Sequence, residues 1–350
     1  MSDNFGTLLR NKREAKGFTQ VMLAKHLGMN AVQLCRIEKG NSSPTLKTIA
    51  KIASALGVSV LDLLSSKDTS RLDVEFESTA NVAAERFYAV RYNADSYSVD
   101  SKVLEEILPV ENGLLELENS LCIAHSTCLP FVHSFNVDKY GARTTARYVR
   151  SACAVGSASF SDLAELLEFR NVRFHVVRLP DGEWSRSFFD GGNHSLSIVL
   201  SEENTVERNI YRIAYELGWM ILSGAKGYKP VRESEKCHRF AREFAAEFLM
   251  PEESVRFAVS RLGVRPTDWT LEMVCYLKAK FNVSAEAFAL RLEALKLISE
   301  RLRQHIREEL RAYYDAHPDA MEPEPRLVAL NIGMRRKLLE MEVARREMKR

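Results

Sequence analysis

The strongest constraint on this chain is a three-residue joint, Gly28-Met29-Asn30, between two short stretches whose apolar residues recur at helical spacing. A joint that short turns one helix sharply onto the next, which is the spacing of a helix-turn-helix unit. The flanking punctuation agrees. Phe5 to Lys16 reads as a first helix stopped by Gly17, and Thr19 caps a second, Gln20 to Leu27, closed by Gly28. Asn30 caps a third, Ala31 to Lys39, ended by Gly40. Ser43 caps a fourth, with Pro44 where a missing N–H costs nothing, running to Leu56 before Gly57. Ser59 opens a short fifth that ends near Leu64.

Charge sets the same segment apart. The 350 residues carry a net charge of only +2, which looks too neutral for a nucleic-acid binder. Residues 1–66, however, hold nine Lys and Arg against four acids, and the other 284 hold 40 basic and 43 acidic side chains. A module at +5 on a body at −3 is the footprint of DNA binding, although a solvated helical surface would give the same counts. With 46% hydrophobic and 27% charged residues the chain is an ordinary folded protein, long enough for two or three domains. No apolar run approaches the roughly 20 residues of a membrane helix. The start, MSDNFGTLLRNKRE, has no signal-peptide core. Six cysteines (Cys35, Cys122, Cys128, Cys153, Cys237, Cys275) follow no disulfide framework, so a reducing cytoplasm is expected.

The string FTQVMLAKHLGMNAVQLCRIEKGNSSPTLKTIAKIASALGVSVLDLL closely resembles the Cro/repressor-type (XRE) DNA-binding domain over residues 7–64. The resemblance implies a five-helix, lambda-repressor-like domain whose third helix enters the major groove. Transferred by position, Asn30, Ala31, Val32, Gln33 and Arg36 would face DNA. Gln33 can offer an amide to adenine and Arg36 a fork to guanine, while Ala31 and Val32 suit thymine methyls. Gln20 and Asn41 would hold phosphates. The family also places a fold-holding ion pair on the positions of Arg13 and Glu38. One such domain reads few base pairs, so a homodimer on a palindromic double-stranded operator is expected. The alternative is a five-helix protein-binding module.

Residues 67–140 are read as a linker or intermediate region of unknown role. Ser65 to Ser70 is polar, followed by candidate strands at Asp73–Glu77 and Phe87–Tyr92 and candidate helices at Asp100–Ile107 and Leu114–Ala124. Cys122, His125, Cys128 and His133 are zinc-ligand types, but their spacing matches no structural zinc module and no site is assigned.

From residue 141 the order becomes helix (Thr144–Ala154), helix (Phe160–Leu167), strand (Arg173–Leu179), turn, strand (Ser195–Leu200), helix (Thr205–Leu222) and helix (Glu235–Leu249). This is an α+β pattern. The strings FSDLAELLEFRNVRFHVV, ERNIYRIAYELGWMIL and FAREFAAEFLMPEESV resemble the ImmA/IrrE zincin-like metallopeptidase family over about residues 141–298. That family's chemistry rests on His-Glu-x-x-His, two zinc-binding histidines one helical turn apart and a glutamate that activates water. Here the motif reads Tyr215-Glu216-Leu217-Gly218-Trp219, and the third-ligand position falls on Phe240. His238 lies two residues from Phe240, about 200° round a helix, and is expected off the site's face. Trp and Phe cannot ligate zinc, so a pseudo-peptidase with no metal and no cofactor is expected. Glu216 is then either a buried carboxylate satisfied by a nearby donor or the charge in a ligand pocket lined by Tyr215, Trp219 and Phe240.

Leu290 to Tyr314 carries a helical apolar stripe, Pro318, Pro323 and Pro325 interrupt, and a last helix spans about Arg326 to Met348. Residues 334–350 hold seven basic side chains against three acids, read as a solvated helix in preference to a DNA contact. The domains expected are thus 1–66, 67–140, 141–298 and a helical extension at 299–350. The fold class is mainly α with a small α+β domain. The function expected is a cytoplasmic DNA-binding transcription regulator, a repressor, with a non-catalytic sensor or dimerisation domain answering a small-molecule or protein effector and no membrane partner. The alternatives are a metallopeptidase with unconventional ligands and an antitoxin or phage-immunity regulator controlled by a protein partner.

Overall fold

A computed structural model describes residues 2–39 except 17 and 28, positions 44, 48 and 52, and then residues 86–93, 99–123, 127, 129, 135–160, 162–180, 182–191, 193–224, 229–263, 265–317, 322–326 and 330–348. The chain forms two compact units, residues 1–75 and 76–350. Among the described residues no helix is long and apolar enough to cross a membrane.

In the first unit α1 (Ser2–Ala15), α2 (Gln20–Leu27) and α3 (Ala31–Glu38) enclose Leu9, Leu23, Leu27, Leu34 and Ile37. Leu23 and Leu27 are four apart and Leu34 and Ile37 three apart, so each pair shares one helix face. A Cβ on Gly6 would stand 2.4 Å from the Glu38 carbonyl oxygen, so only glycine lets α1 pass the end of α3. The fourth and fifth expected helices lie outside the described residues, save Pro44, Thr48 and Ile52. Asn41, residues 65–70 and the strand expected at 73–77 also lie outside them.

The second unit is built on a four-stranded sheet in the order β1-β4-β5-β3. Its strands are β1 (Phe87–Ala89), β3 (Val172–Val177), β4 (Ser185–Asp190) and β5 (Ser195–Ser201), and only β3 and β5 run parallel. On one face α4 (Ser101–Leu121) lays Val103, Leu104 and Ile107 on Phe87, Phe188 and Val199. The other face, with Phe189, Leu196, Ile198 and Leu200, meets α7 (Val206–Gly224), the centre of the main core. Against α7 packs α8 (Glu235–Leu249), and against α8 packs α5 (Lys139–Ala152). A Cβ on Gly218 already meets the Ala241 Cα at 3.1 Å, so larger residues there would push the two helices apart. A two-stranded parallel ribbon, β2 (Arg91–Tyr92) with β6 (Val231–Arg232), runs alongside. The remaining helices are α6 (Leu163–Glu168), α9 (Glu252–Ser260), α10 (Leu271–Lys278), α11 (Ala285–Ala294), α12 (Glu300–Ala316) and α13 (Met334–Glu347).

Several expectations are corrected. Within 67–140, residues 86–121 belong to this second unit, supplying β1, β2 and α4. Pro109 and Gly113 do not split α4, because buried side chains on both sides (Ile107 before, Glu111 and Glu118 after) pin it to the sheet. The single helix expected over 290–314 is two, since Lys296 turns to φ 59° and Ser299 caps α12 anew. The last helix begins only at Met334, after Gly333 at φ 84°. Strand β4 and helices α9 and α10 were not foreseen.

Candidate nucleic-acid interface and the altered metal motif

The first unit presents the start of α3 to solvent. Asn30 caps it, accepting from the Val32 N–H at 3.0 Å, and Gln33 Oε1 accepts from the Asn30 N–H at 3.2 Å. This capping box satisfies two donors the first turn would otherwise leave unpaired. Asn30, Gln33 and Arg36 are exposed, Val32 is 63% exposed and Ala31 is half-buried. Val32 and Arg36 stand four residues apart, so both point the same way. Beneath them, buried Arg13 donates from Nε to Glu38 Oε1 at 2.6 Å and from Nη1 to the Phe18 carbonyl at 2.8 Å. Gln20 Nε2 donates to Glu38 Oε2 at 2.7 Å, which ties the start of α2 to the end of α3. Hydrogen bonding to Glu38 raises the Arg13 pKa against the opposing effect of burial. The lock fixes the angle between the two helices.

In the second unit the altered motif lies mid-way along α7. Glu216 is fully buried, and it accepts from Ser185 Oγ at 2.8 Å and Ser187 Oγ at 2.7 Å. Both serines sit on one side of β4, because alternate strand residues share a face. Arg91 of β2 completes the carboxylate's shell with Nη2 at 3.0 Å from Glu216 Oε1, and donates to the Ser185 carbonyl at 2.9 Å. Its guanidinium carbon lies 5.3 Å from the Tyr215 ring centre and 5.5 Å from that of Trp219, within cation–π range. Pairing of Arg91 with Val231 in the ribbon also brings Glu233 to 3.3 Å from Arg91 Nε.

Residues 171–293 match the family model of Peptidase_M78, the IrrE N-terminal-like domain, and residues 9–63 match that of the helix-turn-helix family HTH_3. The chain joins these two domains. Among curated proteins, a stretch of 60 residues is 38% identical to an SPbeta prophage-derived uncharacterized HTH-type transcriptional regulator, YonR, of Bacillus subtilis, covering 17% of this chain and 56% of that protein. Another of 48 residues is 42% identical to the ImmF control region 10 kDa protein of Bacillus phage phi105, covering 14% of this chain and 53% of that protein. The chain thus spans about half the length of the curated relatives it matches. The solved restriction-modification controller protein C.AhdI from Aeromonas hydrophila is 34% identical, covering 17% of this chain and 92% of that one, with a TM-score of 0.17.

The IrrE-like domain implies a zinc ion, and the residues present do not fit one. Tyr215 is a phenol whose pKa is raised, chiefly by burial, and its hydroxyl is held 2.7 Å from His238 Nδ1. Trp219 offers no lone pair and is fully buried. Arg91 already brings a positive charge to Glu216, where a dication would be repelled. Among the described residues no group of three or more His, Cys, Asp or Glu is placed to hold a metal. Cys122 is exposed at the end of α4, while His125, Cys128 and His133 lie outside the described residues.

From α8, His238 meets the Tyr215 and Trp219 side chains, contrary to its expected direction. Its ring stands edge-on to Trp219, centroids 5.1 Å apart, and Nε2 is 3.6 Å from Glu233. The expected direction of His238 holds only if Phe240 faces the site. Phe240 instead faces the core, stacked on Phe135 at 5.1 Å and leading a ladder through Phe244 to Phe248. With the reference reversed, the same helical rotation places His238 at the motif. Tyr215, Trp219 and Glu216 are thus brought together and Phe240 is not. These side chains fill the space, with none of the four in the wall of a neighbouring cavity that begins one turn earlier at Tyr211 and Arg212. Arg91, Ser185, Ser187 and Glu233 were missed, for nothing local marks them.

Proposed function

We propose that this chain is a DNA-binding transcription regulator, a repressor acting as a homodimer on a palindromic site, with an IrrE-like domain that is not a peptidase. The observation that carries this reading is the exposed first turn of α3. Val32, Gln33 and Arg36 point outward from a helix whose angle is locked by Arg13, Glu38 and Gln20. In a helix-turn-helix domain those positions meet base edges. Gln20 gives one amide hydrogen to Glu38 and keeps the other for a phosphate. Ala31 and Asn30 begin the same turn, and Asn41 supplies a second phosphate contact. The two curated relatives, one named an HTH-type transcriptional regulator and one an ImmF control region protein, point to the same role for residues 9–63.

In the IrrE-like domain the guanidinium of Arg91 takes over the charge balance that a metal would supply to Glu216. A water molecule there has no Lewis acid to lower its pKa. The domain then serves regulation, as a sensor or as the dimer contact. The test is footprinting on DNA upstream of the chain's own gene, with wild type, Arg36→Ala and Gln33→Ala. Protection by wild type that both variants lose supports the reading, whereas protection unchanged in both overturns the assignment of α3.

A further inference from the structure

A cavity of about 650 Å³ lies beside α7, walled by α8 and α11, within the size range of sites for small organic ligands. Trp184, Tyr211, Met250 and Leu290 give it an aromatic and aliphatic wall. Six charged residues also line it, and four are already paired. Arg242 bonds Glu235, Arg291 bonds Glu247, Glu243 faces Arg143, and Glu286 faces Arg307. The other two are Arg208 and Arg212. They stand one helical turn apart on α7, on one face, and neither guanidinium makes a hydrogen bond or ion pair with a described residue. Like charges at this spacing repel, and burial lowers the pKa of Arg212. Two forks with no partner among the described residues, at the wall of a half-apolar cavity, are an incomplete arrangement that an anion would complete.

We propose that this cavity binds a small organic anion, its carboxylate or phosphate head held by Arg208 and Arg212 and its apolar body against Trp184, Tyr211, Met250 and Leu290. The guanidinium fork matches either head group in a bidentate manner. The apolar wall would reject inorganic phosphate as a tight ligand, because half of the recognition surface would stay unfilled. Binding here does not depend on the N-terminal domain and is measured without DNA.

The probe is the aromatic sulfonate 8-anilinonaphthalene-1-sulfonate, titrated into the full chain by fluorescence, beside its uncharged analogue N-phenyl-1-naphthylamine. The sulfonate is expected to bind at one saturable site, about tenfold tighter than the neutral dye, as one charge-assisted contact supplies. Arg208→Ala/Arg212→Ala should weaken the sulfonate about tenfold and leave the neutral dye unchanged. Ala294→Trp, at the exposed rim, should weaken both by obstruction. Decanoate and octyl phosphate compete in separate arms, and the one displacing dye at lower concentration identifies the head group. Equal affinity for the charged and neutral dyes, or sulfonate binding unchanged by the double arginine variant, overturns the proposal. So does failure of both anions to compete. Unchanged urea midpoints in the variants exclude misfolding as the cause of lost binding.

Discussion

Replacing Arg91 by Met tests the charge balance of the altered motif. The variant keeps an unbranched side chain over Tyr215 and Trp219 but removes the only cation within 3.0 Å of the fully buried Glu216 among the described residues. At 3.0 Å and an effective dielectric of 20, the pair's Coulomb attraction is about 5 kcal/mol. Removing one partner of such a buried pair destabilises by about 3–5 kcal/mol. The hydroxyls of Ser185 and Ser187 continue to donate, so the lower end, about 3 kcal/mol, is expected. Adding Glu216→Gln, which lets the serines bond a neutral amide, should recover all but about 1 kcal/mol. Urea unfolding followed by tryptophan fluorescence is the assay, since all three tryptophans, Trp184, Trp219 and Trp269, lie in the second unit. A loss below about 1 kcal/mol in the single variant would refute the reasoning, as would a double variant no more stable than the single.

Three further outcomes follow from the same geometry. Glu38→Ala removes the buried carboxylate of Arg13, leaving it only half-exposed Glu14 and the Phe18 carbonyl, and frees Gln20, so the first unit should lose about 3 kcal/mol and DNA binding, with the tryptophan-reported transition unmoved; a variant with wild-type DNA affinity would contradict this. Burial would raise the Glu111 pKa, but hydrogen bonding from His175, the charge of Arg173 and the Ser197 hydroxyl outweigh it and hold it at about 2. A carboxyl depressed from 4.5 to about 2 contributes about 3 kcal/mol above pH 4.5, and roughly 2 kcal/mol of this is lost by pH 3. Urea midpoints should therefore fall more between pH 5 and 3 for wild type than for Glu111→Gln, and equal falls would reject the assignment. Finally, chain purified from zinc-supplemented cells should hold substoichiometric zinc by elemental analysis. Stoichiometric zinc that His238→Ala abolishes would establish an unconventional metal site.

What could be read in advance was what is local. Gly28 and Asn30 mark the helix-turn-helix joint by their own backbone preferences, and α8 begins and ends at Glu235 and Leu249 as expected from the sequence. Arg91 could not be read this way, because its role arises only when a two-residue strand pairs with Val231, far along the chain. Ser185 and Ser187 look like turn residues until β4 is paired in the sheet and turns them toward α7. The error over His238 was one of phase. Periodicity orders residues around a helix, but only packing fixes which side faces its neighbour, and the Phe240–Phe244–Phe248 ladder settles that for α8. That no described residue pairs with Arg208 or Arg212 was equally hidden, since it depends on where every nearby carboxylate goes.

DNA binding by residues in α3 is the claim on which the account turns, and its most direct measurement is the affinity of wild type, Gln33→Ala and Arg36→Ala for the upstream footprinted site across a salt series. Wild type should bind with log affinity falling linearly as log salt rises, because Lys and Arg displace counterions from phosphates. Each alanine variant should lose about 1–3 kcal/mol on that site while keeping its binding to unrelated DNA. A wild-type chain that protects no upstream site and binds independently of salt would contradict the account.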